Sequence, residues 1–155
     1  MHPIIVAGSG LAGYNVAKEL RKLDKETPLT IITADSGSFY SKPMLSNALA
    51  GKKPPSAIAL NSPEQMATQL NATVRAKTRI TAINAAAHTV SIGDEIVAYS
   101  KLVLALGTDQ IRLPIAGDAA DAIITVNDLD DYGRFHTLLD GKSSKSRGHV
   151  SILFV

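Results

Sequence analysis

The chain has 155 residues, which is the size of one domain. Apolar residues make up 45% of it and charged residues 19%, so the composition supports a buried core and excludes a disordered chain. Lys and Arg number 16 against 14 Asp and Glu, a net charge of +2 that is too even to indicate nucleic acid as the main partner. The lack of cysteine excludes disulfides, thiolate metal sites and cysteine nucleophiles within this chain.

Targeting and metal-binding patterns are also missing from the sequence. No stretch approaches the roughly 18 consecutive apolar residues of a membrane span, and no basic region precedes an apolar run at the amino terminus. The four histidines lack the spacing of metal ligands, and no residue stands out as a general acid or base. We therefore expect no metal site, no catalytic residue, no membrane or nucleic-acid partner, and a location in the cytoplasm.

The first 35 residues predict a strand, a helix and a second strand. Residues 4–6 form a short β-branched run without polar alternation, which is typical of a strand buried on both faces of a parallel sheet. Apolar residues then recur at helical spacing from Leu11 to Leu23, with charged residues on the opposite side. A second buried run, residues 29–34, ends at Asp35, so this segment is a strand–helix–strand unit with an expected right-handed crossover.

Residues 36–100 predict two short helices followed by an antiparallel meander. The first helix runs from Pro43 through Leu49, with Ser41 available as its cap. The sequence Ser62-Pro63-Glu64-Gln65 is a capping box that starts the second, which ends near Leu70. The β-type segments that follow are residues 73–76, 79–83, 88–92 and 95–99.

The last third of the chain predicts one more strand and one more helix. Residues 101–106 return to a buried run, as in a parallel strand. Asn127 is predicted to cap a helix through Leu139 that Gly141 terminates. The predicted fold class is therefore α/β, a Rossmann-like parallel sheet with an inserted antiparallel β-meander.

A glycine-rich loop joins the first strand to the first helix. Its six residues, Gly8, Ser9, Gly10, Leu11, Ala12 and Gly13, fit the pattern G-x-G-x-x-G. That pattern supplies a tight turn, a close approach of backbone to a pyrophosphate, and close packing of helix on strand. Asp35 follows Gly13 by 22 residues, near the distance expected for a carboxylate that holds an adenosine ribose. The loop predicts a dinucleotide site; the alternative is an ordinary helix-start turn with an incidental carboxylate.

Several further motifs resemble the flavin domain of pyridine-nucleotide-dependent flavoprotein reductases, in the group of rubredoxin, ferredoxin and putidaredoxin reductases. They are Gly8 to Asn15, Ile32 to Asp35, Tyr40 to Ser46, Thr78 to Asn84, Leu102 to Gly107 and Asn127 to Tyr132. The resemblance covers residues 3–141 and implies that residues 1–141 are the first, incomplete segment of an FAD-binding domain. Residues 142–155 are interpreted as a join and the vestigial first strand of a missing NAD-binding domain, in a truncated or excised chain.

The resemblance also implies which residues meet the pyrophosphate and the ribose of FAD. Residues 9–12 wrap the pyrophosphate, while Ala34 and Asp35 meet the adenosine ribose. Lys42 matches a position, Lys or Arg in the family, that contacts the cofactor, and a cation beside two phosphates is sound electrostatics. The alternative for Lys42 is an ordinary surface lysine.

Two more contacts are implied farther along the chain. Ile80 matches the position whose backbone contacts the adenine, and the alternative is a plain strand residue. Ala105 and Gly107 lie where the family has its second cofactor-facing turn, and the alternative is a turn without a ligand.

Electrons in this family pass from NAD(P)H through FAD to a small electron-transfer protein such as rubredoxin or ferredoxin. NAD(P)H is expected as donor only for a full-length member, since the chain stops where the nicotinamide domain begins. Two other functions remain open from the sequence alone. One is an NAD(P)-binding Rossmann dehydrogenase domain, and the other is a fragment that binds nucleotides without catalysis.

Overall fold

The computed structural model describes residues 1–111, 114–118 and 120–143. The strands are β1 (Ile4–Ala7), β2 (Leu29–Ile32), β3 (Thr73–Arg75), β4 (Ala82–Asn84), β5 (Thr89–Ile92), β6 (Glu95–Ala98) and β7 (Lys101–Leu104). The helices are α1 (Leu11–Leu23), α2 (Met44–Ala48), α3 (Pro63–Leu70) and α4 (Leu129–Ser143), with 3₁₀ turns at Pro55–Ala57 and Ala120–Ala122. No helix within the described ranges is long and apolar enough to cross a bilayer.

Four strands form a parallel sheet, in the order β3-β2-β1-β7. The assignment of residues 73–76 to the meander is wrong, because β3 pairs in parallel with β2, and a short β-type sequence does not specify its partner strand. Ile4 of β1 pairs with Leu29 of β2 on one side and with Lys101 of β7 on the other. Every residue of β1 is buried, as its unalternated apolar sequence predicts for a central parallel strand. Because the strands are parallel, the loops after β1, β2 and β7 meet at one edge of the sheet, which is where such sheets bind ligands.

The inserted meander is the second sheet, with the antiparallel order β4-β5-β6. Ile5 and Ile32 of the parallel sheet pack against Val90 and Tyr99 of the meander. The opposite face of the parallel sheet carries helices α1 and α3. The cluster on that face consists of Ile4, Val6, Tyr14, Ala17, Leu29, Ile31, Met66 and Leu70. Alternate residues of β1 therefore serve two different cores, one on each face of the sheet.

Helix α3 begins as its sequence predicts. Ser62 accepts a hydrogen bond from the Gln65 backbone N–H at 3.3 Å, and the Gln65 side chain accepts one from the Ser62 N–H at 2.8 Å. Arg21 of α1 then ties the other end of α3 in place, since its guanidinium donates to the carbonyls of Leu70 and Asn71. The two helices covering the sheet are thus joined at their carboxyl ends.

The structure corrects the predicted starts of two helices. Helix α2 begins at Met44, with Pro43 at its cap position and no side-chain cap from Ser41. Helix α4 is capped by Asp128, whose carboxylate accepts from the Asp131 N–H at 2.7 Å, and not by Asn127. A carboxylate at the amino end of a helix also complements the helix dipole, which explains the preference.

Three further predictions are wrong in extent. Helix α4 continues past Gly141 to Ser143, because a glycine lowers helix propensity but does not by itself end a helix. Residues 79–81 are not strand, because the Thr78 N–H bonds to the Thr33 carbonyl and holds this segment along the end of β2. Strand β7 was predicted to be buried, but both of its end residues are exposed, since β1 is its only strand neighbour in the described part of the chain. The vestigial strand expected at the end of residues 142–155 lies outside the described residues.

Candidate functional site

The three glycines of the loop between β1 and α1 have different structural roles. At Gly8, where φ is +108°, an added Cβ would lie 2.1 Å from the Ala105 carbonyl oxygen, so the two backbones are in close contact. At Gly13 a Cβ would lie 2.0 Å from the Gly8 carbonyl oxygen, so this glycine packs the helix on the strand. At Gly10 a Cβ would meet nothing within 4 Å. Two of the glycines thus build the turn, and the third leaves open space.

The open space lies at the amino end of α1. Gly10 is the cap residue of α1, the helix has no side-chain cap, and its first turn contains no acidic residue. Gly10, Leu11 and Ala12 are exposed to solvent. The first N–H groups of a helix have no acceptor within the helix, and they carry the positive end of its dipole. The loop therefore presents an uncovered anion-binding surface to whatever occupies the space beside Gly10.

Asp35 stands at the carboxyl end of β2 beside this loop, and one of its two oxygens is fully engaged. Oδ1 accepts hydrogen bonds from the Ser9 hydroxyl at 3.0 Å, the Thr33 hydroxyl at 2.7 Å and the Gly37 N–H at 2.9 Å. No donor among the described residues bonds to Oδ2. Asp35 is half-buried and Ala34 is exposed. The free carboxylate oxygen is thus available as an acceptor for ligand hydroxyl groups.

The turn that follows Asp35 is anchored from α1. The hydroxyl of Tyr14, which is 0% exposed, donates to the Gly37 carbonyl oxygen at 2.5 Å. Burial, with the nearby Asp35 and Glu64 carboxylates, raises the pKa of Tyr14 to about 12, so its hydroxyl stays a donor across the physiological range. Gly37 has φ of +72°, and a Cβ added there would lie 3.2 Å from the side chains of Ala76 and Pro63. The carboxylate therefore sits on a fixed turn.

Ala105 and Gly107 follow β7 on the same edge of the sheet. The Ala105 N–H donates to the Ala7 carbonyl at 2.8 Å, which extends the β1–β7 pairing up to the glycine loop. Gly107 is exposed and has φ of +73°, a conformation that favours glycine. The structure thus places the end of β7 directly against Gly8.

Lys42 is linked to this turn by hydrogen bonds through the side chain of Asn127. Its exposed ammonium donates to the Asn127 amide oxygen at 2.7 Å, and the Asn127 amide nitrogen donates to the Thr108 carbonyl at 3.0 Å. Because the Asn127 amide is neutral, its hydrogen bond with Lys42 leaves the positive charge of the lysine uncompensated. An anion near the turn would therefore meet a cation.

Ile80 is placed beside the end of β2 and not in a strand. It packs against the core formed by the meander and the parallel sheet, and no hydrogen bond between described residues involves its backbone. Its peptide groups are therefore available to a ligand.

Thr33 and Asn127 were not identified from the sequence as residues of the candidate site. Only for Thr33 does the sequence contain a signal that could have identified it. Thr33 and Asp35 are two residues apart at the end of a strand, so both side chains fall on the same face. Asn127 is 85 positions from Lys42, and nothing in a single sequence links the two. Ser9 was expected at the pyrophosphate, but its side chain is 2% exposed and bonds inward.

An open groove of about 810 Å³ lies on the far side of the turn after Asp35, between this turn and α4. Its walls include Ser36, Lys77 and Asp130, and the Lys77 ammonium pairs with the Asp130 carboxylate across it. Neither the glycine loop nor Asp35 contributes to these walls. The candidate site is therefore the open edge of the sheet, not this groove.

Comparisons with known proteins agree with the geometry. The family model of pyridine nucleotide-disulphide oxidoreductases matches residues 2–149. Rubredoxin-NAD(+) reductase from Alcanivorax borkumensis is 47% identical over 144 residues, 93% of this chain and 38% of the relative. The enzyme of that name from Acinetobacter baylyi is 46% identical over 149 residues, 94% of this chain and 38% of the relative. The chain thus spans well under half the length of these curated relatives.

A solved structure supports the same relationship. The putidaredoxin reductase in a covalent complex with putidaredoxin superposes with a TM-score of 0.71 at 29% identity. The match covers 86% of this chain and 34% of that chain. Sequence and fold comparisons therefore agree on the same part of a longer molecule.

Proposed function

The chain belongs to the pyridine nucleotide-disulphide oxidoreductase family, and we propose that it supplies the first segment of the FAD-binding domain of a reductase. In the complete protein, electrons pass from NAD(P)H through FAD to a small electron-transfer protein such as rubredoxin or ferredoxin. The names of the two relatives at 46–47% identity support rubredoxin as acceptor. This chain contains no cysteine, so it carries no redox disulfide of its own.

One observation carries the proposal: the open space at Gly10, at an uncapped helix end, next to a carboxylate with one free oxygen. A pyrophosphate fits there because no side chain fills the space and the helix offers unpaired N–H groups. The backbone of residues 9–12 holds the pyrophosphate, and Asp35 with Ala34 receives the adenosine ribose. Gly8 and Gly13 shape the loop that binds it.

The remaining predicted contacts complete this site. Lys42 compensates part of the pyrophosphate charge, and the Ile80 backbone meets the adenine. Ala105 and Gly107 line the second turn, where the absence of a side chain on Gly107 permits close approach. When bound, FAD supplies the electron transfer itself, and the chain's residues bind and orient it.

The division of the chain is part of the same proposal. Residues 1–141 form the first, incomplete segment of the FAD-binding domain, and residues 142–155 begin the connection to the NAD-binding domain. The NAD(P)H donor and the acceptor protein act on the complete molecule. A cytoplasmic location stays a prediction.

The visible absorption spectrum of the chain purified in the presence of FAD tests this function. We expect a flavin band that remains after gel filtration, and its loss in Gly10→Val, which places a branched side chain where the pyrophosphate lies. Circular dichroism of the variant controls for folding, which we expect to be retained because an added Cβ at Gly10 meets no atom within 4 Å. A colourless chain that binds only NAD supports the dehydrogenase alternative. Binding of neither nucleotide, in a folded chain, rejects the site.

A further inference from the structure

We propose that Ser9 and Thr33 are positioning residues that fix the orientation of the Asp35 carboxylate before the adenosine ribose binds. This inference rests on the proposed function, because it concerns the same site. It differs from the resemblance, which assigns Ser9 to the pyrophosphate. The three side chains come from two loops, after β1 and after β2, and they meet at one edge of the sheet.

Ser9 turns its side chain away from the phosphate side of the loop. The residue is 2% exposed, although Gly10 next to it is exposed. Its hydroxyl lies 3.0 Å from Asp35 Oδ1 and 3.1 Å from Thr33 Oγ1. A hydroxyl has one proton, so Ser9 donates to one of these two oxygens at a time. Only the backbone of Ser9 remains for a phosphate.

Thr33 makes the shorter contact with the carboxylate. It is 6% exposed, and its hydroxyl donates to Asp35 Oδ1 at 2.7 Å. The Gly37 N–H donates to the same oxygen from the opposite side of the turn at 2.9 Å. Donors that converge on one oxygen position fix the plane of the carboxylate, because any rotation short of exchanging its two equivalent oxygens moves the acceptor away from them.

As a consequence, the two oxygens of the Asp35 carboxylate have different roles. Oδ1 belongs to the protein network, and Oδ2 is left for the ribose hydroxyls. A side chain already held in its binding orientation loses less conformational freedom when the ligand arrives. Ser9 is 2% exposed and Thr33 is 6% exposed, so their hydroxyl groups meet little competition from water for these hydrogen bonds.

The variant Thr33→Val tests the proposal, because valine keeps the shape of threonine and removes its hydroxyl. We expect the affinity for FAD to fall about tenfold, as for a lost hydrogen bond to a charged group, and the affinity for FMN, which lacks adenosine, to stay unchanged. Thr33→Ser should restore most of the FAD affinity. Thr30→Val is the matched control, since Thr30 lies in β2, three residues before Thr33, and its hydroxyl makes no hydrogen bond to another described residue.

A second measurement needs no flavin. The Gly37 amide donates to the carboxylate, so its ¹⁵N–¹H resonance should move and its hydrogen exchange should quicken in Thr33→Val but not in Thr30→Val. An unchanged Gly37 amide together with unchanged FAD affinity would overturn the positioning role. If the unmodified chain binds no FAD, the proposed function fails, whereas the Gly37 amide still reports on the carboxylate.

Discussion

At the scale of single residues, the glycine loop separates folding from binding. Gly8→Ala combines a φ of +108° with a clash against the Ala105 backbone, which cannot rotate away as a side chain can. We expect it to lower the free energy of unfolding by at least about 2 kcal/mol. Gly10→Ala, with φ of −64° and free space, should cost at most about 1 kcal/mol. Chemical denaturation of both variants measures the difference, and equal losses would contradict this division.

Asp35 carries the second residue-scale prediction. Asp35→Ala removes the acceptor of the ribose hydroxyls and should weaken FAD binding by about 1.5–3 kcal/mol. FMN affinity should be unchanged, because FMN lacks the adenosine. The exposed Asp94→Ala in the meander turn is the matched control for the loss of one negative charge. Isothermal titration with both flavins decides, and an equal loss for FAD and FMN would remove Asp35 from the adenosine end.

Sequence alone located the loop and Asp35, because both depend on local spacing within one strand–helix–strand unit. It did not show that the Ser9 side chain turns inward, since that depends on Thr33 and Asp35 across a loop. The cap of α4 was misassigned by one position. Asn127 and Asp128 are both good caps, and tertiary contacts decide between them: Asn127 instead bridges Lys42 and Thr108.

At the scale of elements, the predictions are confirmed where the signal lies within the element's own sequence. The capping box of α3 and the buried run of β1 are local signals, and both are confirmed. The apolar run of β7 looks like that of β1, yet Leu104 is 58% exposed. Burial of a strand depends on what lies on its far side, and β7 pairs only with β1 among the described strands. Periodicity does not distinguish a central strand from an edge strand.

Tyr14 provides the element-scale prediction, because it ties α1 to the turn after β2. Tyr14→Phe leaves the Gly37 carbonyl without its donor and should lower the free energy of unfolding by about 1–2 kcal/mol at pH 7. Tyr99→Phe is the control, since Tyr99 is also buried and its hydroxyl bonds to no other residue in the described part of the chain. Urea denaturation of the two variants gives the comparison.

The same tyrosine predicts a dependence on high pH. The pKa of Tyr14 is raised to about 12 in the folded chain, above its ordinary value of 10.0. Its contribution is therefore complete below pH 10, where the unfolded phenol is also neutral, and is lost as the pH rises from 10 towards 12. The full loss amounts to about 2–3 kcal/mol. Tyr14→Phe should lose less stability over this range than the unmodified chain, and an identical loss would contradict the assignment.

At the scale of the whole molecule, the described residues between Leu104 and Ile124 include several large apolar side chains that are exposed. The exposed fraction is 58% for Leu104, 68% for Leu106 and 88% for Ile111. Ile123 and Ile124 add further apolar surface, at 47% and 49%. The curated relatives are much longer, and this chain covers 38% of each. We expect the remainder of a full-length protein to cover these side chains.

The chain by itself should therefore associate through β7 and the residues after it. An edge strand with exposed apolar side chains is a template for pairing with another chain, and a lysine on such an edge opposes pairing. We expect the double variant Leu104→Lys, Leu106→Lys to lower the light-scattering mass and the binding of a hydrophobic dye at equal concentration. Leu23→Lys, at a position 90% exposed at the end of α1, controls for the added charge. Equal masses for the unmodified chain and both variants would show that the apolar side chains at the end of β7 do not drive association.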